Sequence, residues 1–80
     1  MALSPTPQDF NQRLGQVVAT ALQDAGISQA DASDRTNIPL TTLKRCLRGA
    51  GFDTIKLARV ADILGVTVTS LIAQAEDVAA

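Results

Sequence analysis

An all-α domain of five short helices is the fold this sequence predicts, and three observations carry the prediction. Apolar residues make up 46% of the 80-residue chain and recur at three- and four-residue steps, the period of a helix with one buried stripe. Phe10 and Phe52 are the only aromatics, and a chain rich in Ala, Leu and Val but poor in aromatics leans towards helix. Each periodic stretch is opened by a capping residue and closed by a helix-stop residue. The length allows one domain and one core, with little margin.

Residues 1–7, MALSPTP, form a polar, proline-punctuated leader expected to be loose. Thr6 and Pro7 are placed to cap and open the first helix. From there Phe10, Leu14, Val17, Val18, Ala21, Leu22 and Ala25 mark one broad apolar stripe, ended by Gly26 at a left-handed C′ position. Ser28 is a good N-cap for a second helix over about 28–36, with Asp31 three residues on, close to a capping box. Small residues at Ala30, Ala32 and Ser33 allow a neighbouring helix to approach. Asn37 stops this helix, because Asn tolerates the left-handed conformation, and Pro39 forces Ile38 to be extended.

The third helix spans about Leu40 to Leu47. Leu43, Cys46 and Leu47 share one face, while Thr41, Thr42, Lys44, Arg45 and Arg48 spread over the others. Gly49, Ala50 and Gly51 make a loop. Phe52 then Asp53 forms an apolar staple followed by an N-cap. Helix four, about 54–64, buries Leu57, Val60, Ala61 and Leu64, with Ile55 and Ile63 on its flanks. Gly65 closes it. Thr67 caps helix five, which runs from Val68 to about Glu76 with Leu71 and Ile72 inward. The folded domain thus covers residues 8–76, and residues 77–80 fray.

Composition removes several function classes. With no His and a single Cys, Cys/His metal sites, disulfide frameworks and His-activated nucleophiles are excluded, and no metal or cofactor is expected. A lone thiol suits a reducing cytoplasm, the expected compartment. No apolar run approaches the roughly 18 residues of a membrane span, and MALSPTPQDF has neither the basic start nor the apolar centre of a signal peptide. The GAG at 49–51 lacks the strand and signature of a phosphate loop, and nothing marks a catalytic carboxylate pair. The chain is not expected to be an enzyme.

The net charge of −1 argues against nucleic acid until its distribution is examined. Six of the seven basic residues (Arg35, Lys44, Arg45, Arg48, Lys56, Arg59) lie between Arg35 and Arg59 with one acid, Asp53, a net of +5. The remainder sets Arg13 against seven acids, a net of −6. Such polarity suits a DNA-binding face backed by an acidic body.

Gly26-Ile27-Ser28-Gln29, Asn37-Ile38, Arg48-Gly49 and Leu64-Gly65-Val66-Thr67 together resemble the Cro/phage-repressor (Xre-type) helix-turn-helix family. The variant IPLTTLKRCLRG resembles small regulators of actinobacteria and their phages. The likeness covers about residues 14 to 72 and implies a compact five-helix, lambda-repressor-like DNA-binding domain that lays helix three in the major groove. It places Leu40, Thr41, Lys44 and Arg45 where base edges are contacted. Gln29, Thr42 and Arg48 fall where the family touches the phosphate backbone, as do the amides of the loop after Gly49. The chemistry suits those roles: Arg45 or Lys44 can donate to guanine, Thr41 to several bases, and Leu40 can lie against a thymine methyl. Gln29 stands near a helix N-terminus that already favours phosphate.

Departures from the family pattern carry their own expectations. Positions 22 and 47, commonly Arg and Glu in an ion pair, are both Leu here, a joint exchange that leaves no buried charge behind. Leu22 is therefore expected to pack on Leu47. Ala32 and Thr36 stand where the family usually has Leu, thinning the core under helix two and leaving a gap for Phe52 or Phe10. Cys46 is expected to be a small core residue, not a reactive thiol.

The implied function is a Cro-like or minimal repressor that binds a double-stranded DNA operator. Because one module contacts a small site, a homodimer on half-sites about one helical turn apart is expected. Helix five supplies the contact surface through Val68, Leu71, Ile72, Ala75 and Val78. The competing reading is a protein-interaction module on the same fold, an antitoxin or an anti-repressor, which an acidic pI near 5.0 favours. No membrane or small-molecule partner is expected.

Overall fold

The computed structural model describes residues 7–77. These form five α-helices, with no strand among the described residues: α1 (Pro7–Asp24), α2 (Gln29–Thr36), α3 (Leu40–Arg45), α4 (Thr54–Leu64) and α5 (Val68–Asp77). Residues 1–6, with the cap expected at Thr6, and 78–80, with Val78, lie outside the described residues, while Pro7 of the expected leader and Asp77 of the expected tail are in helices.

Two of the connections are one device used twice. After α1, Gly26 takes a positive φ of 72°; its N–H donates to the Gln23 carbonyl at 3.1 Å, and Ile27 N–H donates to the Leu22 carbonyl at 2.9 Å. After α4, Gly65 takes a φ of 70°, with matching bonds from Gly65 to Asp62 at 3.1 Å and from Val66 to Ala61 at 3.0 Å. This is the Schellman arrangement, which satisfies carbonyls orphaned at a helix end. In both cases the next residue is a hydroxyl cap. Ser28 Oγ accepts from the Asp31 N–H at 3.0 Å and Thr67 Oγ1 from the Ser70 N–H at 3.0 Å. The Asp31 carboxylate forms an ion pair with Arg35 Nε at 3.2 Å.

The core gathers Leu14, Val18 and Leu22 from α1, Leu43 from α3, Leu57, Val60 and Ala61 from α4, and Leu71 and Ala75 from α5, with Ala32 and Ile38 beneath α2. Phe10 and Phe52 are half-buried against it. α1 packs on α5 along one side and on the residues after α3 along another. Under α2 the missing bulk is met in part by a polar side chain made safe. Thr36 is 2% exposed, and its hydroxyl donates to the Ala32 carbonyl at 2.6 Å, so its own buried donor is satisfied.

Several expectations need correction. Ala25, assigned to the buried stripe, is exposed because α1 ends at Asp24. Leu64, assigned to the buried face of α4, is only half-buried at the last residue of that helix. Leu71 and Ala75, assigned to a surface between two copies, are 1% and 0% exposed and belong to the domain's own core; Val68 and Ile72 are half-buried. Finally, α3 does not run regularly to Leu47. Its α-helical part ends at Arg45, and the chain continues through a wider π-type turn, Cys46–Ala50, in which Gly49 swings to a φ of 112°.

Candidate nucleic-acid interface

The inward face of α3 fixes which residues it can show. Leu43 is fully buried and Cys46 nearly so, and at about 100° per residue the opposite side of α3 carries Thr41, Lys44 and Arg45 within one arc of about 100°, with Arg48 in the turn that follows. All four are exposed. Leu40 and Thr42 flank this stripe on either side and are half-buried. Of the residues expected to meet DNA, then, four share one surface and two border it. Gln29 stands apart, exposed at the head of α2, in a shallow depression with Ala19, Gln23 and Ile27.

Electrostatic engagement separates the basic residues more sharply than their clustering in sequence. Arg35 pairs with Asp31 one turn back. Lys56 pairs through Nζ with Asp53 Oδ2. Arg59 Nη1 donates to the Thr36 carbonyl at 3.3 Å and so closes the C-terminus of α2. Among the described residues Lys44, Arg45 and Arg48 make no ion pair, and the α3 stripe presents three uncommitted cations. The seventh basic residue, Arg13, lies on α1 with Nη1 buried and unpartnered.

The two ends of this stripe are held by different means. At the start, Ser33 Oγ donates to the Ile38 carbonyl at 2.6 Å, bridging the turn in which Asn37 is left-handed at a φ of 59°; Arg59 adds its bond to Thr36. At the far end α1 comes so near that Gly15 has no room for a Cβ, which would lie 2.5 Å from the Leu47 carbonyl oxygen. Leu22 is buried and Leu47 half-buried against one core, but the close approach to the Leu47 backbone is at Gly15, about two turns before Leu22.

No family model, curated protein or solved structure matches this chain. The site therefore rests on its own geometry.

Beside the stripe is an open basin of about 450 Å³, lined by Asn11 from α1, Thr42, Arg45 and Cys46, and Asp53 and Lys56 at the head of α4. Hydrogen bonds from Lys56, from its side chain and then its backbone N–H, hold the Asp53 carboxyl below its ordinary value. Asp53 is also the N-cap of α4, accepting from the Lys56 N–H at 2.7 Å, so the chain's own carboxylate occupies that helix N-terminus. Burial, and then the charge of Asp53, push the Cys46 thiol up, against the opposing influence of Lys56 and Arg45. Among the described residues no group of three His, Cys, Asp or Glu could hold a metal ion, and no helix is long and apolar enough to cross a membrane.

Sequence reasoning did not find Gly15, Ser33 or Arg59. A glycine inside an otherwise good helix is the one signal that was present, since it costs about 1 kcal/mol against Ala there. Ser33 and Arg59 act on carbonyls five and 23 residues away, which no local pattern announces.

Proposed function

We propose that the chain is a sequence-specific double-stranded DNA-binding transcriptional regulator, a Cro-like or minimal repressor, in which α2 and α3 act as a helix-turn-helix and α3 enters the major groove. The observation that carries this reading is the exposed stripe of Thr41, Lys44, Arg45 and Arg48, whose three cations have no ionic partner among the described residues. With its side chains a helix is about 10–12 Å across, a diameter that the major groove, about 12 Å wide, admits. Arg45 and Lys44 would donate to base edges, guanine O6 and N7 being the best acceptors for them, with Thr41 beside them and Leu40 against a thymine methyl.

Arg48 and Thr42, at the end and edge of the stripe, would hold phosphates. Gln29 is exposed at the head of α2, where backbone N–H groups favour phosphate; Asp31 in the same turn opposes an anion, and its ion pair with Arg35 offsets that charge. Two copies would bind half-sites about one turn apart. Val68 and Ile72, still partly accessible, are the remaining candidates on α5 for that contact.

The second reading, a protein-interaction module such as an antitoxin or anti-repressor, is favoured by an open groove of about 440 Å³ between α1 and α5, with Val17 and Ala21 in it and Asp24 and Asp77 at its rim. Selection of bound sites from random duplex DNA, repeated with Thr41→Ala and Arg45→Ala, separates the two. The DNA reading expects an enriched half-site for the native chain, with each variant keeping its circular-dichroism spectrum but losing preference at one base position. No enrichment at low salt leaves the protein-interaction reading.

A further inference from the structure

We infer that Gly15 is a positioning residue: its missing side chain sets where the C-terminal half of α3 lies, and with it the reach of Lys44, Arg45 and Arg48. The consequence for base reading rests on the DNA-binding proposal; the positional claim does not.

Gly15 sits within an 18-residue helix and has no positive φ, so its backbone conformation does not require glycine. Alanine would be the better helix former there. The space requires glycine. An ideal Cβ would lie 2.5 Å from the Leu47 carbonyl oxygen, 2.9 Å from its carbon and 3.0 Å from the Cys46 carbonyl oxygen. These are backbone atoms, which no rotamer change can withdraw.

The same face of α1 meets two further glycines, Gly49 and Gly51. A Cβ on Gly49 would lie 2.6 Å from Gln12 Cγ, and one on Gly51 would lie 2.9 Å from Asn11 Nδ2. At Gly49 and Gly51 the nearest atoms belong to side chains and the backbone is itself left-handed, with φ of 112° and 101°, so the tight backbone-to-backbone approach is the one at Gly15.

The start of α3 is anchored elsewhere, by Ser33 on the Ile38 carbonyl and Arg59 on the Thr36 carbonyl. An added methyl at position 15 therefore has a defined effect. To reach ordinary contact at 3.4 Å or more, the Cys46–Leu47 backbone must retreat by about 1 Å while the turn at Asn37–Pro39 stays put. The helix pivots, so Thr41 moves little and Arg45 and Arg48 move most. A misplacement of about that size is enough to spoil a bidentate contact.

The experiment pairs a backbone-amide NMR map of Gly15→Ala with site selection from random duplex DNA. Chemical-shift changes are expected to concentrate over residues 44–51 and be small over 37–41. In the selection, preference is expected to fall roughly tenfold at the base facing Arg45, to hold at the base facing Thr41, and low-salt binding to unselected DNA is expected to persist. Shift changes confined to α1, or spread evenly along α3, overturn the inference, as does an even loss of preference. If the native chain selects no site, the DNA reading fails while the amide map still decides the positional claim. If Gly15→Ala does not fold, Gln12→Ala substitutes by removing the α1 side chain that faces Gly49. It should shift the Arg48 and Gly49 amides and spare Thr41, and unmoved amides at 48 and 49 overturn the claim.

Discussion

Two sets of three basic residues occupy this small domain, and they behave oppositely. Arg35, Lys56 and Arg59 are each engaged, with the carboxylates of Asp31 and Asp53 and the carbonyl of Thr36 respectively. Lys44, Arg45 and Arg48 sit on one side of α3 and the turn after it, with no ionic partner among the described residues. In sequence the six are indistinguishable, one run of positive charge between residues 35 and 59. In space half of that charge serves the fold and half is left over. A charge cluster marks a binding face only after subtraction of what the protein uses for itself.

Substitutions within the engaged set sharpen the contrast. The largest effect is expected from Arg59→Ala, which leaves the Thr36 carbonyl without its donor at the end of α2. It should lower stability by about 1 kcal/mol, read as a shift in the urea midpoint, while the salt dependence of DNA binding stays unchanged. Arg13 belongs to neither set, because its Nη1 is buried without a partner. Arg13→Met keeps the aliphatic stem and removes the orphaned donor, so it should raise stability by up to about 1 kcal/mol in the same titration.

The smallest effect concerns Asp53. Its folded-state pKa lies below the ordinary value of 3.8, so the stabilisation it brings is present above that value. It is lost as pH falls through the lowered folded value. Thermal unfolding followed from pH 6 downward should show this acid-side loss reduced in Asp53→Asn. An unchanged acid limb would mean that the cap and ion pair contribute nothing measurable.

The helices were largely legible because their boundaries are local chemistry. Gly26, Ser28, Asn37, Asp53, Gly65 and Thr67 each act within a few residues of their own position, and α4 begins and ends where its cap and its glycine place it. The end of α3 was not legible. Its departure into the Cys46–Ala50 turn accompanies the approach of α1, some 30 residues earlier in the chain, and a helical period cannot report an interhelix distance. Leu71 and Ala75 were misassigned for a related reason. An apolar face on a last helix looks the same whether it meets its own core or a second copy, and α1 decides the matter by packing on it. Within the candidate site, the types and order of Thr41, Lys44, Arg45 and Arg48 were readable. Their freedom from ionic partners was not, since Arg59 finds its acceptor 23 residues away.

The central claim is that the uncommitted cations of α3, and not basic charge in general, form the DNA face. It is tested most directly by measuring duplex binding against salt concentration for three proteins: the native chain, the Lys44/Arg45/Arg48→Ala variant and the Arg35/Lys56→Ala variant. Each phosphate neutralised contributes about 0.9 to the slope of log affinity on log salt. The α3 variant should lose roughly one to three units of that slope, while the Arg35/Lys56 variant keeps nearly all of it. Equal losses in both variants, or none in the α3 variant, would contradict the account.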